Sequence, residues 1–409
     1  MTNSLCMIVK DEADNLPRCL ASVKDYVDEM VVLDTGSQDA TIAIAQEFGA
    51  RVETAAWTQD FAAARNQSLA LATGDWILVL DADETLTELG QALLEQVRAG
   101  AAIGEQALAS VVMITWLRHE VNTDQSPYSE VSRLFHNRAD LRFERPYHET
   151  VDDSVARLQQ AEPQWQVVFW PEVAMTHTGY EADAIAQRDK FQRAQTIMAA
   201  YLAEHPHDAY ICNKLGALYG SAGDWQTGRS LLEKGLADAT ADASTLYELH
   251  YHLGLAYRDA GLAAIAVDHY QKALEQPVAE VLKVGAYLNL GSLHQGRQDY
   301  ASARQAFETA VAAAPDFALA HFNLGIARRG LGDLEGAIAA YERAIAIDPT
   351  YAAAYQNLGV ALFKLNQIPD SIAAFRQAVA LYRQTQPAEA ERLLQGIRNL
   401  GIQPDDNLS

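Results

Sequence analysis

Cysteine is scarce in this chain, basic clusters are missing, and no apolar run approaches the length of a membrane span. Cys6, Cys19 and Cys212 are the three cysteines among 409 residues. They are too few and too scattered for a disulfide framework or a zinc site, and they fit a reducing compartment. Lysine and arginine number 31 against 54 acidic residues, a formal net charge of −23. Nucleic acid and anionic membrane are poor candidate partners, because binding phosphate needs clustered cations. The start, "MTNSLCMIVKDE", lacks the basic region and apolar core of a secretory signal. A cytosolic, soluble protein with no membrane span is expected. The length allows two or three domains, each with a sizeable core.

What is present falls into two halves of different grammar. Up to about residue 180, short apolar strands alternate with amphipathic helices. Strands are expected at Leu5–Val9, Met30–Leu33, Arg51–Thr54, Trp76–Leu80, Ala109–Leu117 and Val167–Trp170. Helices fit Leu16–Val27, Ala40–Phe48, Phe61–Ala72 and Glu88–Arg98. This alternation implies βαβ units in a mostly parallel, Rossmann-like sheet, and such sheets bind ligands at the carboxyl ends of their strands. Those ends read "VKDE", "LDTGSQD" and "LDADE".

The second half is a repeat. Leu-Gly recurs at Gly216, Gly254, Gly291, Gly325 and Gly359, at intervals of 38, 37, 34 and 34 residues. A small residue follows each Gly by twelve positions (Gly228, Ala266, Ala303, Ala337, Ser371). A bulky one follows by sixteen (Leu232, Tyr270, Phe307, Tyr341, Phe375). Two helices crossing at close range need small residues where they touch. The pattern closely resembles the tetratricopeptide repeat family, an all-α solenoid. Five repeats are expected over 209–385, preceded by a helical connector at 181–208. A capping helix and a disordered tail, "QPDDNLS", fill 386–409.

In the first half, "ILVLDADE" (Ile77–Glu84) runs four apolar residues directly into a cluster of carboxylates. Such a cluster is unfavourable unless a cation sits there. Asp81 and Asp83, one residue apart on a turn, can face one oxygen-coordinated ion, Mn²⁺ or Mg²⁺. The competing reading is a turn, with Asp83 or Thr85 capping the helix near Glu88. The wider context favours the ion. "LCMIVKDEADNLPRCLASV", "VVLDTGSQDAT" and "ARNQSLALATGDWILVLDADE" stand in the order found in family-2 glycosyltransferases of the GT-A fold, which residues 1–180 resemble.

That resemblance implies a metal-dependent, inverting transfer from a nucleoside-diphosphate sugar, with a uridine nucleotide as the family's usual carrier. It assigns Asp11, Glu12 and Asp34 to the nucleoside and Arg65, with Asp81, to the diphosphate region. Asp83, Asp81 and His177, the last in "VAMTHTGY", become metal ligands. Glycosyltransferases resembling this one often carry a His-Glu pair where "RPYHETVDD" stands, which implies His148 or Glu149 as the base that deprotonates the acceptor; the family's commoner Glu-Asp motif is not evident at this point. A salt bridge from Glu149 to Arg142 or Arg145 is the structural alternative. Asn289, Asn323 and Asn357 share one repeat position and could hold the backbone of a peptide or protein acceptor, although Asn is common there in ordinary repeats. Two other readings stand beside this one. The acceptor is a saccharide or lipid-linked sugar with the repeats used for assembly, or the chain is a scaffold whose transferase half has degenerated.

Overall fold

A computed structural model describes residues 1–121, 123, 126–179 and 184–400. Glu181, where the connector was expected to begin, and the expected tail lie outside the described residues. The chain divides into two compact units, one taking in Met1–Thr123 and Pro127–Thr245, the other running from Leu246 onward.

The first unit is built on an eight-stranded sheet: β1 (Asn3–Val9), β2 (Glu29–Asp34), β3 (Arg51–Thr54), β4 (Trp76–Val79), β5 (Glu84–Leu86), β6 (Val111–Glu120), β7 (Tyr128–His136) and β8 (Gln166–His177). Their spatial order is β3-β2-β1-β4-β7-β6-β8-β5. Strands β1 to β4 pair in parallel, as expected. On the far side β6–β8 is parallel while β4–β7, β6–β7 and β5–β8 are antiparallel, so the sheet expected to be mostly parallel is mixed at this end. Neither β5 nor β7 is among the strands expected from sequence: β5 has three residues, and β7 carries too many polar side chains to read as apolar alternation.

Helices α1 (Leu16–Val23), α2 (Thr41–Glu47), α3 (Phe61–Leu69), α4 (Glu88–Arg98) and α5 (Asp152–Ala161) cover the sheet. Alternate residues of each central strand face opposite layers. Leu5, Met7, Trp76 and Leu78 pack with Leu16 and Leu20 of α1 and Leu93 and Leu94 of α4. Cys6, Ile77 and Val79 pack with Ala62 and Leu69 of α3 and Val155 and Leu158 of α5. Burial on both faces explains why these strands read as unbroken apolar runs. The unit continues through α6 (Ala184–Glu204), α7 (Ala209–Ser221) and α8 (Trp225–Gly235).

The second unit is all-helical: α9 (Ala243–Asp259, whose first turn lies at the unit boundary), α10 (Ala263–Leu274), α11 (Val284–Gly296), α12 (Tyr300–Ala313), α13 (Ala318–Gly330), α14 (Leu334–Ile347), α15 (Ala352–Lys364), α16 (Ile368–Thr385) and α17 (Pro387–Asn399). Each Leu-Gly glycine meets the bulky residue sixteen positions on. A Cβ on Gly359 would stand 2.6 Å from the Phe375 ring, and one on Gly216, in the first unit, 2.8 Å from Leu232. Helix α17 buries Leu393, Leu394 and Ile397 against Phe375 and Val379 of α16. Among the described residues, no helix is long and apolar enough to cross a membrane.

Candidate functional site

Strand β4 ends at the carboxyl edge of the sheet, where the chain turns through Asp81–Glu84 into β5. The turn closes on itself: the Asp81 amide donates to Glu84 Oε2 (2.9 Å) and the Glu84 amide to the Asp81 carbonyl (3.0 Å). Thr87, not Asp83 or Thr85, caps α4, accepting from the Gly90 amide. Asp83 is therefore not consumed as a cap.

Across the far strands the pairing sets Glu120 of β6 opposite His177 of β8, and His177 opposite Glu84 of β5. Strand β7 adds Arg133 at an irregularity. Ile114 faces Leu134 while Thr115 faces Ser132, so Arg133 is the extra residue of a bulge. Bulges re-aim side chains, and this one brings Arg133 onto Asp81 (2.5 Å) and Glu84 (2.9 Å).

The result is a ladder of alternating charge. Glu149 accepts from Arg65 Nε (3.0 Å), and Arg65 reaches Asp81 through Nη2. Asp81 and Glu84 share Arg133. Arg118 joins Glu84 (2.8 Å) to Glu120 (2.8 Å). His177 lies between Glu120 (Nδ1 to Oε2, 2.7 Å) and Asp83 (Nε2 to Oδ2, 3.2 Å). Arg65 is 2 % exposed and Glu84 0 %, so these charges persist only because each is paired.

The compensation expected from a metal thus comes, for Asp81 and Glu84, from guanidinium groups. Burial pushes the Asp81 carboxyl up, but Arg133 and Arg65 together outweigh it and hold the group far below the usual carboxylate range. Burial likewise opposes ionisation of Glu120, yet the bond to His177 and the charge of Arg118 bring it down to about 2. The hydrogen bond to Asp83, then that to Glu120, overcomes burial and raises His177 to about 9.

With both Asp81 oxygens engaged by arginine, the metal-ligand set shrinks to Asp83 and His177. No group of three or more His, Cys, Asp or Glu able to hold a metal occurs among the described residues. The pair still fits a divalent ion. Its facing atoms are 3.2 Å apart, close to the roughly 3 Å between adjacent ligands of an octahedral ion with bonds of about 2.1 Å. Glu120 on Nδ1 orients the imidazole, as carboxylates commonly do for metal-bound histidine.

On the other side of the edge, Asp34 ends β2 and is 1 % exposed. Its Oδ1 accepts from the amides of Gly36 (2.9 Å) and Ser37 (3.0 Å), while its buried Oδ2 meets no partner among the described residues. An acceptor atom left over at a strand end suits a ligand donor. Asp11, at φ 54°, accepts from the Gln38 amide (2.7 Å), and the Glu12 amide donates to Thr41 (2.7 Å). Both therefore also tie the first strand's loop to the second's.

Arg65, expected at the diphosphate, is committed first to two carboxylates. It is enclosed and holds Asp81 and Glu149, with Nη1 alone lacking a partner among the described residues. Its neighbour Asn66 clamps the backbone of Phe143, donating to its carbonyl and accepting from its amide, both at 2.9 Å. The expected ion pair from Glu149 to Arg142 or Arg145 is replaced by the one to Arg65. His148 is exposed, at φ 54°, with its ring edge-on to Tyr147.

In the helical unit, Asn289 departs from the expected acceptor ladder. It is 5 % exposed, donates to the Gly285 carbonyl one turn back (2.8 Å) and accepts from Arg258. Asn357 donates to its own Ala353 carbonyl (2.9 Å), and Asn323 is half-buried. A bond of this kind uses one of an amide's two N–H groups, so of the three it is Asn289, with its oxygen also taken by Arg258, that is turned inward.

Sequence reasoning missed Arg118, Glu120 and Arg133, and gave Glu84 no role beyond its place in the carboxylate cluster. The available signal was arginine within strand-like stretches, "TWLRHE" and "SRLFH", where an unpaired charge would be costly.

Comparison with known proteins agrees with this division. Residues 4–161 match the model of glycosyl transferase family 2. Residues 288–352 and 328–397 match tetratricopeptide repeat models. A TPR repeat-containing protein of Synechococcus elongatus is 50 % identical over 317 residues, covering 76 % of this chain and 75 % of that protein. An uncharacterized glycosyltransferase of Rickettsia felis is 26 % identical over 193 residues, 47 % of this chain and 68 % of that protein. Among solved structures, the crystal structure of MamA aligns with 42 % of this chain and 95 % of its own at 26 % identity, with a TM-score of 0.37.

Proposed function

Given that the chain belongs to glycosyl transferase family 2, joined to C-terminal tetratricopeptide repeats, we propose that it moves a sugar, with inversion, from a nucleoside-diphosphate donor to a peptide or protein brought by the repeats. Uridine is the nucleoside assigned, and Mn²⁺ or Mg²⁺ the cofactor. A cytosolic location accords with three cysteines that are all free thiols. The observation carrying the reading is the Asp83–His177 pair at the strand ends, 3.2 Å apart and braced by Glu120.

Asp83 and His177 would hold the ion, which when bound neutralises charge on the diphosphate leaving group. The chain's own residues do the rest. Asp34 Oδ2, buried and unspent, accepts from a donor group of the nucleoside, with Asp11 and Glu12 beside the same loop. Arg65 Nη1, which meets no partner among the described residues, is in reserve for a phosphate oxygen. Glu149 keeps one oxygen on Arg65 and offers the other, or His148 its ring, to take the acceptor's proton. Attack then comes from the face opposite the leaving group, which inverts the anomeric carbon.

The test is donor turnover across nucleotide sugars, followed by mass spectrometry. Turnover disappears with a chelator and returns with Mn²⁺ or Mg²⁺, and Asp83→Ala lowers it at least about 100-fold while the fold is kept. Full turnover in the chelator would overturn the reading. The inward engagement of Asn289 favours a second reading for the acceptor alone, a saccharide or lipid-linked sugar with the repeats used for assembly. Replacing Asn289, Asn323 and Asn357 together decides it: an unchanged acceptor KM in a folded variant selects the second.

A further inference from the structure

The loop that carries His148 and Glu149 is held from two sides. On the sheet side, the Phe61 amide donates to the Pro146 carbonyl (2.9 Å), Phe61 meets Tyr147 edge-on at 5.2 Å, and Arg65 holds Glu149. On the other side stand α6 and α7, which belong to the same compact unit. Tyr147 packs against the cluster of Ala194, Met198, Leu202, Ile211, Cys212 and Leu215. Arg145 donates through Nε to Asp208 (2.9 Å) and through Nη1 to Asp153, with its guanidinium 4.9 Å from the Tyr210 ring.

Asp208 is the N-cap of α7. One oxygen accepts from the Ile211 amide (2.8 Å), and the other receives Arg145 and the Tyr201 hydroxyl (3.3 Å). The backbone between is in an unusual conformation: Arg145 has φ 71° and His148 φ 54°, the left-handed region that side-chain-bearing residues seldom adopt. Such geometry persists where the surroundings over-determine it, and it gathers at functional sites. The surroundings here are helices of the connector and of the first repeat, not the sheet alone.

We propose that Arg145 and Asp208 are positioning residues for the transfer step, so that the first repeat hairpin completes the catalytic loop as well as beginning the solenoid. The pair sets the backbone from which His148 and Glu149 project. The proposal rests on the reading of that loop as the carrier of the acceptor's base, and it adds that the α7 cap controls it. A chain that engages the start of the repeats can then alter the sugar-transfer step through a single ion pair.

Asp208→Asn in the full chain is the informative change, because Asn still caps α7 while the charge facing Arg145 is removed. Hydrogen exchange of the Tyr147–Glu149 amides is measured beside transfer kinetics. Exchange there rises at least tenfold, kcat falls at least tenfold, and the donor KM stays within twofold. Arg145→Ala gives the same loss, and the double variant loses no more than either single one. Unchanged exchange in this loop overturns the proposal, and so does faster exchange with an unchanged kcat. If the wild-type chain transfers no sugar, failure belongs to the functional reading, and loop exchange still decides whether the staple exists.

Discussion

Arg133 meets Asp81 and Glu84 with one guanidinium, at a bulge that leaves it no partner across the ladder. Arg133→Met removes that cation from the buried Glu84 and from Asp81, whose side chain is about a third exposed. Breaking a buried pair costs about 3–5 kcal/mol. Arg65 and Arg118 remain beside the same acids, so a loss near about 3 kcal/mol in urea unfolding is expected. Glu120 and His177 act in opposite directions along the pH axis. Glu120 falls from 4.5 to about 2 on folding, so its contribution is present above pH 4.5 and is lost as pH drops through 2. His177 rises from 6.5 to about 9, so its contribution is full below pH 6.5 and is lost as pH rises through 9. With chelator present, both contribute fully between those two windows. Glu120→Gln flattens the acid side of a stability–pH curve and His177→Gln the alkaline side; a variant that leaves its own side unchanged would refute the assignment.

At the scale of elements, the repeat glycines separate packing from propensity. Alanine in place of a helical glycine normally stabilises by about 0.5–1 kcal/mol. On α17, a Cβ added at Gly396 would meet nothing within 4 Å, so Gly396→Ala gains that amount. On α13, a Cβ at Gly325 would press on the fully buried Tyr341 ring. Overpacking of this kind costs about 1–3 kcal/mol, so Gly325→Ala loses stability despite its better propensity. Opposite signs in thermal unfolding are the expected result. The strand arrangement follows a similar logic: β4 reads plainly because both of its faces are buried, whereas β7 has a half-buried, polar stretch and is recognisable only from its pairing with β6 and β4.

For the whole molecule, the compact unit that contains the site extends to Thr245. A fragment of residues 1–245 should fold cooperatively and bind uridine diphosphate as the full chain does. One ending at Leu202 loses α7, and with it Asp208 and the Ile211, Cys212 and Leu215 part of the cluster against Tyr147, so it should unfold at lower temperature and bind apolar dyes. Comparable melting of the two fragments would contradict this. The amino-acid sequence by itself determined the two architectures, because periodic burial is written locally: apolar runs for strands covered on both faces, and small and bulky residues at fixed spacing for crossed helices. It also placed Asp34, Asp81 and Asp83 at strand ends, since a carboxylate directly after a buried strand is visible in a single line of residues. Only the tertiary structure decided what those carboxylates face. Arg65, Arg118, Arg133 and Glu149 come from four separate segments, and no local pattern records that a bulge in β7 turns Arg133 onto Asp81. Charge pairing acts through space between distant segments, so it was settled when the sheet closed its register.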